Sequence, residues 1–278
     1  MKRTLGSLAC VMALSLPAEA TLSIPDPMST LASSGSNFAI GPRDLPLGFQ
    51  FFGQVKTQIY VNSNGSITFG SNGTGSGNTG FSGSEMARIA PFWDYLPVAG
   101  GAIRDVTTSG YYAVIWDGVN VGTSYSPARQ VTVEAILIGS AGNPWNLAPD
   151  TIVFSYGVVG GTYQTVFNGN VIGAGATVGL NQGQTGVNVP GAFVTLGALA
   201  NSPAIGAADG RLTEEQAMGL SNWSYCFTPT NGAYRAELCN PTLAPGANAP
   251  VANPEPSTFV LFGLGAAVLA RLRARRVS

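Results

Sequence analysis

Gln58-Ile59-Tyr60-Val61-Asn62-Ser63-Asn64-Gly65-Ser66-Ile67-Thr68-Phe69 is the stretch whose reading decides the fold class of this chain. Ile59, Tyr60 and Val61 form an apolar, strand-prone run, Ser63-Asn64-Gly65 supplies turn residues, and Ile67 and Phe69 resume the apolar pattern. Asn-Gly between such runs is the strongest short-range hairpin signal, because both residues accept the left-handed backbone of a tight turn. Working outward, further strands are expected at Tyr111 to Trp116, Gln130 to Ile138, Thr151 to Tyr156, Ala176 to Leu180 and Ala192 to Leu196. Along the second of these, Val131, Val133, Ala135 and Leu137 line one face. Gln130, Thr132 and Glu134 line the other before Ile136 and Ile138 take over, so the strand reads as half exposed at one end and buried on both faces at the other.

Thirty-seven glycines and 18 prolines, clustered at short intervals, leave little room for long helices. The exception is Thr213 to Gly219, where Thr213 and Gln216 have capping-box spacing and Gly219 supplies a stop. The expected fold is an all-β sandwich, one domain over 21–240 with a single short helix. Phe92 and Trp93, following Pro91, are expected to plug the core beneath the hairpin, and Trp116 to be buried. Gly75-Ser76-Gly77-Asn78-Thr79-Gly80 matches the dinucleotide-binding spacing, but more glycine and serine follow it and no βαβ unit can be drawn around it. Residues 70–83 read instead as a flexible surface loop.

Several blocks in order resemble the NIDO domain, the extracellular module of nidogen and related adhesive proteins. They are Gly48-Phe49-Gln50-Phe51-Phe52-Gly53, the hairpin above, Ile89-Ala90-Pro91-Phe92-Trp93-Asp94, Gly101-Ala102-Ile103-Arg104 and Ala113-Val114-Ile115-Trp116. The order continues through Val131 to Leu137, Ile152 to Gly157 and Ala176 to Leu180, so the resemblance covers about residues 47–185. It implies an extracellular adhesive role. Asp94-Tyr95-Leu96-Pro97 carries fewer acidic residues than the family's usual stretch, which weakens the case for a calcium-like site there.

The two termini read as export signals. Lys2 and Arg3 precede an apolar run from Leu5 to Leu16, and Ala18-Glu19-Ala20 fits the small-residue rule of signal peptidase, so cleavage is expected after Ala20 with a signal peptide at 1–20. At the far end, Pro254-Glu255-Pro256-Ser257-Thr258 leads into an apolar run from Phe259 to Ala270 and then Arg271, Arg273, Arg275 and Arg276. At about 1.5 Å per residue, the 13 residues from Thr258 to Ala270 would span roughly 20 Å as a helix, against about 30 Å of hydrocarbon. That is short for a permanent span. Residues 253–278 resemble the PEP-CTERM sorting signal of Gram-negative bacteria that make extracellular polysaccharide. The resemblance implies transit through secretion machinery, transient inner-membrane contact through the tail, processing by an exosortase and delivery as a secreted or cell-surface protein. Residues 241–252, with Pro241, Pro245 and Pro250 among Ala, Gly and Asn, read as a semi-rigid stalk.

Of 13 basic residues six lie in these terminal signals, and of 14 acidic residues two do, which leaves seven against twelve and a mature charge near −5. A weakly acidic domain whose one lysine is Lys56 has no electrostatic reason to bind nucleic acid. Cys10 falls in the signal peptide, so Cys226 and Cys239 are the mature thiols, and an oxidising exported context pairs them most simply as a disulfide. With no histidine in the chain, neither a Ser-His-Asp system nor a usual zinc shell is expected, and no cofactor or metal is assigned.

Paired carboxylates from Asp94, Asp105, Asp117, Glu134 and Asp150 leave a glycoside hydrolase open in principle, although scattered acids on strands are usually solvated. The leading expectation is a non-enzymatic matrix or surface protein whose partners are extracellular polysaccharide or surface proteins. The runner-up is a polysaccharide-binding module with an exposed aromatic platform. Trp145, in the polar turn-rich Gly142-Asn143-Pro144-Trp145-Asn146, is its first candidate contact, and Asp94 is a second ligand candidate whose commoner role is to cap a local turn.

Overall fold

The computed structural model describes residue 24 and residues 26–45, 48–75, 81, 86–122, 129–160, 165–167, 170–172, 176–183, 193–195 and 210–239. The expected signal peptide with Ala18 and Ala20, the expected stalk, and the sorting segment with Pro254, Glu255, Pro256 and its four arginines lie outside these residues.

Strands β1 (Ser29–Ala32), β2 (Ala39–Asp44), β3 (Gln50–Phe51), β4 (Gln54–Val55), β5 (Gln58–Asn62) and β6 (Ser66–Thr68) open the domain. Its middle holds β7 (Arg88–Trp93), β8 (Ala102–Thr107), β9 (Tyr111–Asn120), β10 (Gln130–Ile138) and β11 (Ile152–Val159). Then come β12 (Thr165–Phe167), β13 (Asn170–Ile172), β14 (Thr177–Asn181), β15 (Phe193–Thr195), helix α1 (Glu214–Met218), β16 (Ser224–Thr230) and β17 (Ala233–Leu238). β10 has the bounds its alternation predicts, and α1 has Thr213 as N-cap with the capping box to Gln216 formed. Two large antiparallel sheets result, seven-stranded in the order β1-β8-β9-β10-β11-β16-β17 and six-stranded in the order β15-β14-β7-β6-β5-β2, with β3-β4 and β12-β13 as separate two-stranded pairs. The all-β sandwich is therefore the fold.

One apolar core joins the two sheets. Val131, Val133, Ala135 and Leu137 of β10 share it with Ile59, Val61, Ile67, Ile89, Val178 and Leu180 of the facing sheet, and Trp116 and Tyr156 fill its centre. Each fully buried aliphatic or aromatic side chain of this kind stabilises by about 1.5–3 kcal/mol, which offsets the ordering of long strands.

The hairpin that decides the fold class is more than a surface turn. Asn62, Ser63, Asn64 and Ser66 are fully buried, so their polar atoms need partners inside the protein. Trp116 Nε1 donates to Asn62 O at 2.9 Å, and Leu96 N donates to Asn64 Oδ1 at 3.2 Å. Asn64 Nδ2 in turn donates to Asn37 Oδ1 and Thr74 O, both at 2.8 Å. Gly65 is required on two counts: its φ is +73°, and a Cβ there would lie 2.0 Å from Phe92 O. The turn thus keys the six-stranded sheet to the loop that follows β7.

Two expectations are corrected at this place. Phe92 enters the shared core, but Trp93 does not join it: adjacent residues of a strand point to opposite faces, and Trp93 packs with Phe81 and Ala90 on the outer face. Its indole donates to Gly75 O at 2.7 Å, and the Arg88 guanidinium stacks 3.7 Å from the ring centroid. Residues 70–75, expected to be a free surface loop, are pinned instead. Thr68 Oγ1 donates to Ser71 O, and Asn64 and Trp93 hold the carbonyls of Thr74 and Gly75.

Candidate functional site

Two short turns and the end of the longer loop between β10 and β11 converge on an open cleft of about 110 Å³, lined by Gln50, Phe52, Asp150, Pro229, Gly232 and Tyr234 among others. The two short turns are two-residue hairpin turns. Phe52-Gly53 joins β3 to β4 with φ of 49° and 72°, and Asn231-Gly232 joins β16 to β17 with φ of 50° and 79°. Positive φ at both positions marks the mirror-type turn that suits strand twist. Asn-Gly adopts it readily, whereas a bulky Phe in the left-handed region costs about 1 kcal/mol.

Packing explains why phenylalanine stands there. Phe51 lies in the core with its ring 4.7 Å from that of Phe69, and Phe52 meets both Phe51, at 4.8 Å, and Tyr234, at 5.0 Å, edge-on. Phe52 and Tyr234 are only 6 % and 7 % exposed, so little of either ring reaches the cleft.

The third wall is Asp150, at the end of the loop between β10 and β11, also with positive φ at 63°. Its N–H donates to Ile138 O at 2.8 Å, and one carboxylate oxygen, Oδ1, accepts the Gln50 N–H at 2.8 Å. The Tyr234 hydroxyl lies 2.9 Å from Gln50 O and 3.1 Å from Asp150 O, so its single proton is held within the wall. Burial, and secondarily the Asp150 charge, pushes that phenol well above its ordinary value and keeps it neutral. The cleft therefore offers acceptors and negative charge, on a frame assembled from parts 100 and 184 residues apart along the chain.

Sequence reading named Asp150 only among scattered acids and missed Gln50, Phe52 and Tyr234. The signal for one wall was present, since Asn231-Gly232 lies between the apolar Tyr225 and Phe227 and the apolar Tyr234 and Ala236.

The residues singled out from sequence fall elsewhere. Trp145 is buried, at 4 % exposure, which overturns its reading as an exposed platform. Its short turn is closed by Asn143, whose side chain donates to Leu147 O at 2.8 Å and accepts from Leu147 N at 3.0 Å. The polarity of neighbouring turn residues describes the turn and does not fix where one large ring goes. Asp94 is fully buried and accepts the Tyr95 N–H at 2.6 Å, the turn-capping role, so it does not face solvent as a ligand contact.

The other carboxylates are likewise engaged or buried. Asp105 pairs with Arg43 at 2.7 Å and accepts from Tyr112, Asp117 pairs with Arg104, and Glu134 is buried on β10. Among the described residues no group of three or more Asp, Glu, Cys or His stands together as a metal shell would need. Cys226 and Cys239 form a disulfide with Cα atoms 5.0 Å apart.

An extracellular-type β-sandwich followed by an export tail is the class of protein that this fold and sequence define. A family model described as NIDO related matches residues 26–229, most of the chain, and the protein belongs to that family. The match extends beyond 47–185 on both sides and takes in the helix and β16. A second model, the PEP-CTERM protein-sorting motif, matches residues 254–276. The protein is thus exported to the cell envelope or surface, with processing by an exosortase on the way. Comparison with curated proteins and with solved structures returned no match.

Proposed function

We propose that the exported domain is a non-enzymatic adhesive module that associates with extracellular polysaccharide or with surface proteins in the matrix around the cell. The observation that carries this reading is the joining, in one chain, of a NIDO-related domain to a surface-sorting motif. The chemistry of the domain supports it. Asp94, Asp105 and Asp117 each serve a turn or an ion pair within the sandwich, an arrangement that holds a scaffold together. The version of sugar binding that relied on a Trp145 platform loses its support, because a ring so buried offers no face for a sugar to stack upon.

The test uses the mature protein recovered from the surface of producing cells, applied to immobilised matrix polymers and to an envelope-protein pull-down. Saturable retention by one of these, with the polymer unchanged in length, is expected. Appearance of new reducing ends during incubation would instead establish a hydrolase.

A further inference from the structure

We propose that the cleft at Asp150 is a binding site for the protonated amine of an amino sugar, presented by an extracellular polysaccharide that carries free amines. This deepens the adhesive reading and rests on it.

The chemistry of the walls selects the ligand. Asp150 Oδ1 is spent on the Gln50 N–H, so the carboxylate keeps its second oxygen for a ligand. The Tyr234 proton is held by the carbonyls of Gln50 or Asp150, so the phenol adds an acceptor to the rim and no donor. Among the described residues no lysine or arginine lines the cleft. A group with several donors and a positive charge complements such a surface; a carboxylated sugar is repelled by it, and a neutral sugar leaves the Asp150 charge unmatched.

Size and shape narrow the choice further. One water-sized group needs roughly 10–15 Å³ of such space, so about 110 Å³ admits an ammonium together with the two hydroxyls that flank it. A lysine side chain needs apolar surface for its four methylenes. Phe52, Pro229, Ala233 and Tyr234 offer some, but the lysine stem carries no hydroxyl to donate to the acceptors of the rim beside Asp150, as an amino sugar does.

The experiment titrates the mature exported protein with glucosamine, N-acetylglucosamine, glucuronic acid, an N-acetyl-lysine amide and calcium chloride, by calorimetry and by chemical-shift changes of the Tyr234 ring. Glucosamine is expected to bind, N-acetylglucosamine and glucuronic acid to bind at least tenfold more weakly, and Asp150→Asn to weaken glucosamine at least tenfold. Asparagine suits this substitution because it tolerates positive φ and still accepts from Gln50 N–H, so an unchanged melting temperature separates lost binding from lost fold. Equal binding of the acetylated sugar, no binding at all, or full binding by Asp150→Asn overturns the proposal. Preference for the lysine amide overturns it in favour of a protein partner, and calcium binding without amine binding overturns it in favour of a metal. Retention on matrix polymers is measured separately, so the adhesive reading can survive a negative titration.

Discussion

Glu134 stands on the outer face of β10, paired across the sheet with Ile115 and Ser155, and is only 7 % exposed. Alternation along the strand places it opposite the core, and its neighbours Gln130 and Thr132 on that face suggest solvent there. Pattern shows which residues share a face; whether the face meets water depends on what else lies against it. Ile136, Ile138, Ala113 and Val153 on the same face are fully buried too. Burial of the carboxyl disfavours its charged form and raises its pKa from the ordinary 4.5 to about 8. The folded state therefore holds one more proton than the unfolded state between those two values. Stability due to this group is greatest below pH 4.5 and falls as pH rises through that window, by roughly 1.4 kcal/mol per unit, then levels off above pH 8. Glu134→Gln removes the titration. Urea unfolding of both proteins at pH 5 and pH 8 is expected to show the wild type losing on the order of 3 kcal/mol more than the variant over that interval. Equal losses would mean that the carboxyl is ionised in the folded protein.

The hairpin of β16 and β17 shows how one element can be half legible. The cysteine pair was read from compartment and count, and Asn231-Gly232 was a usable turn signal. The place of the hairpin at the end of the seven-stranded sheet, and the cleft it closes with Gln50 and Asp150, depend on pairings between distant parts of the chain that local pattern does not encode. β17 is an edge strand with one buried side chain, Tyr234, so apolar packing holds it weakly. The disulfide compensates. It crosses the open end of the hairpin, opposite the turn, and the Cys239 N–H donates to Ser224 O at 2.9 Å. Any pull on the chain beyond Cys239 would unzip β17 from that end first, and the cross-link blocks the first step. Replacing both Cys226 and Cys239 with Ser is expected to cost about 3 kcal/mol, by the loop-closure entropy of the 13-residue separation. Amide hydrogen exchange should show 233–238 losing protection before β10 does. Simultaneous loss in both strands would show that the disulfide supports the whole sandwich and not its last strand.

For the molecule as a whole, sequence and structure carry different messages. The sandwich rests on contacts between distant segments, and its class could be read because strand alternation, turn residues and the ordered blocks all pointed one way. The address could be read without any fold, since the tail's motif, apolar run and arginines are contiguous over 254–276. The two are coupled through charge. The full chain has a formal charge of −1, whereas loss of residues 1–20, if cleaved after Ala20 as expected, and of the sorting tail would remove six basic and two acidic residues and leave the domain near −5. An acidic domain suits a polyamine-bearing polymer, and the basic tail that would oppose that attraction is the part removed. Substituting Pro254, Glu255 and Pro256 together with Ala should block recognition and leave the apolar run and its four arginines attached. Fractionation is expected to find this variant in the inner membrane, longer and less acidic on isoelectric focusing than the wild type, which appears outside that membrane. The upstream disulfide should still form, because Cys226 and Cys239 lie outside the substituted segment. A variant that is shortened and released like the wild type would show that Pro254, Glu255 and Pro256 are not what the processing enzyme reads.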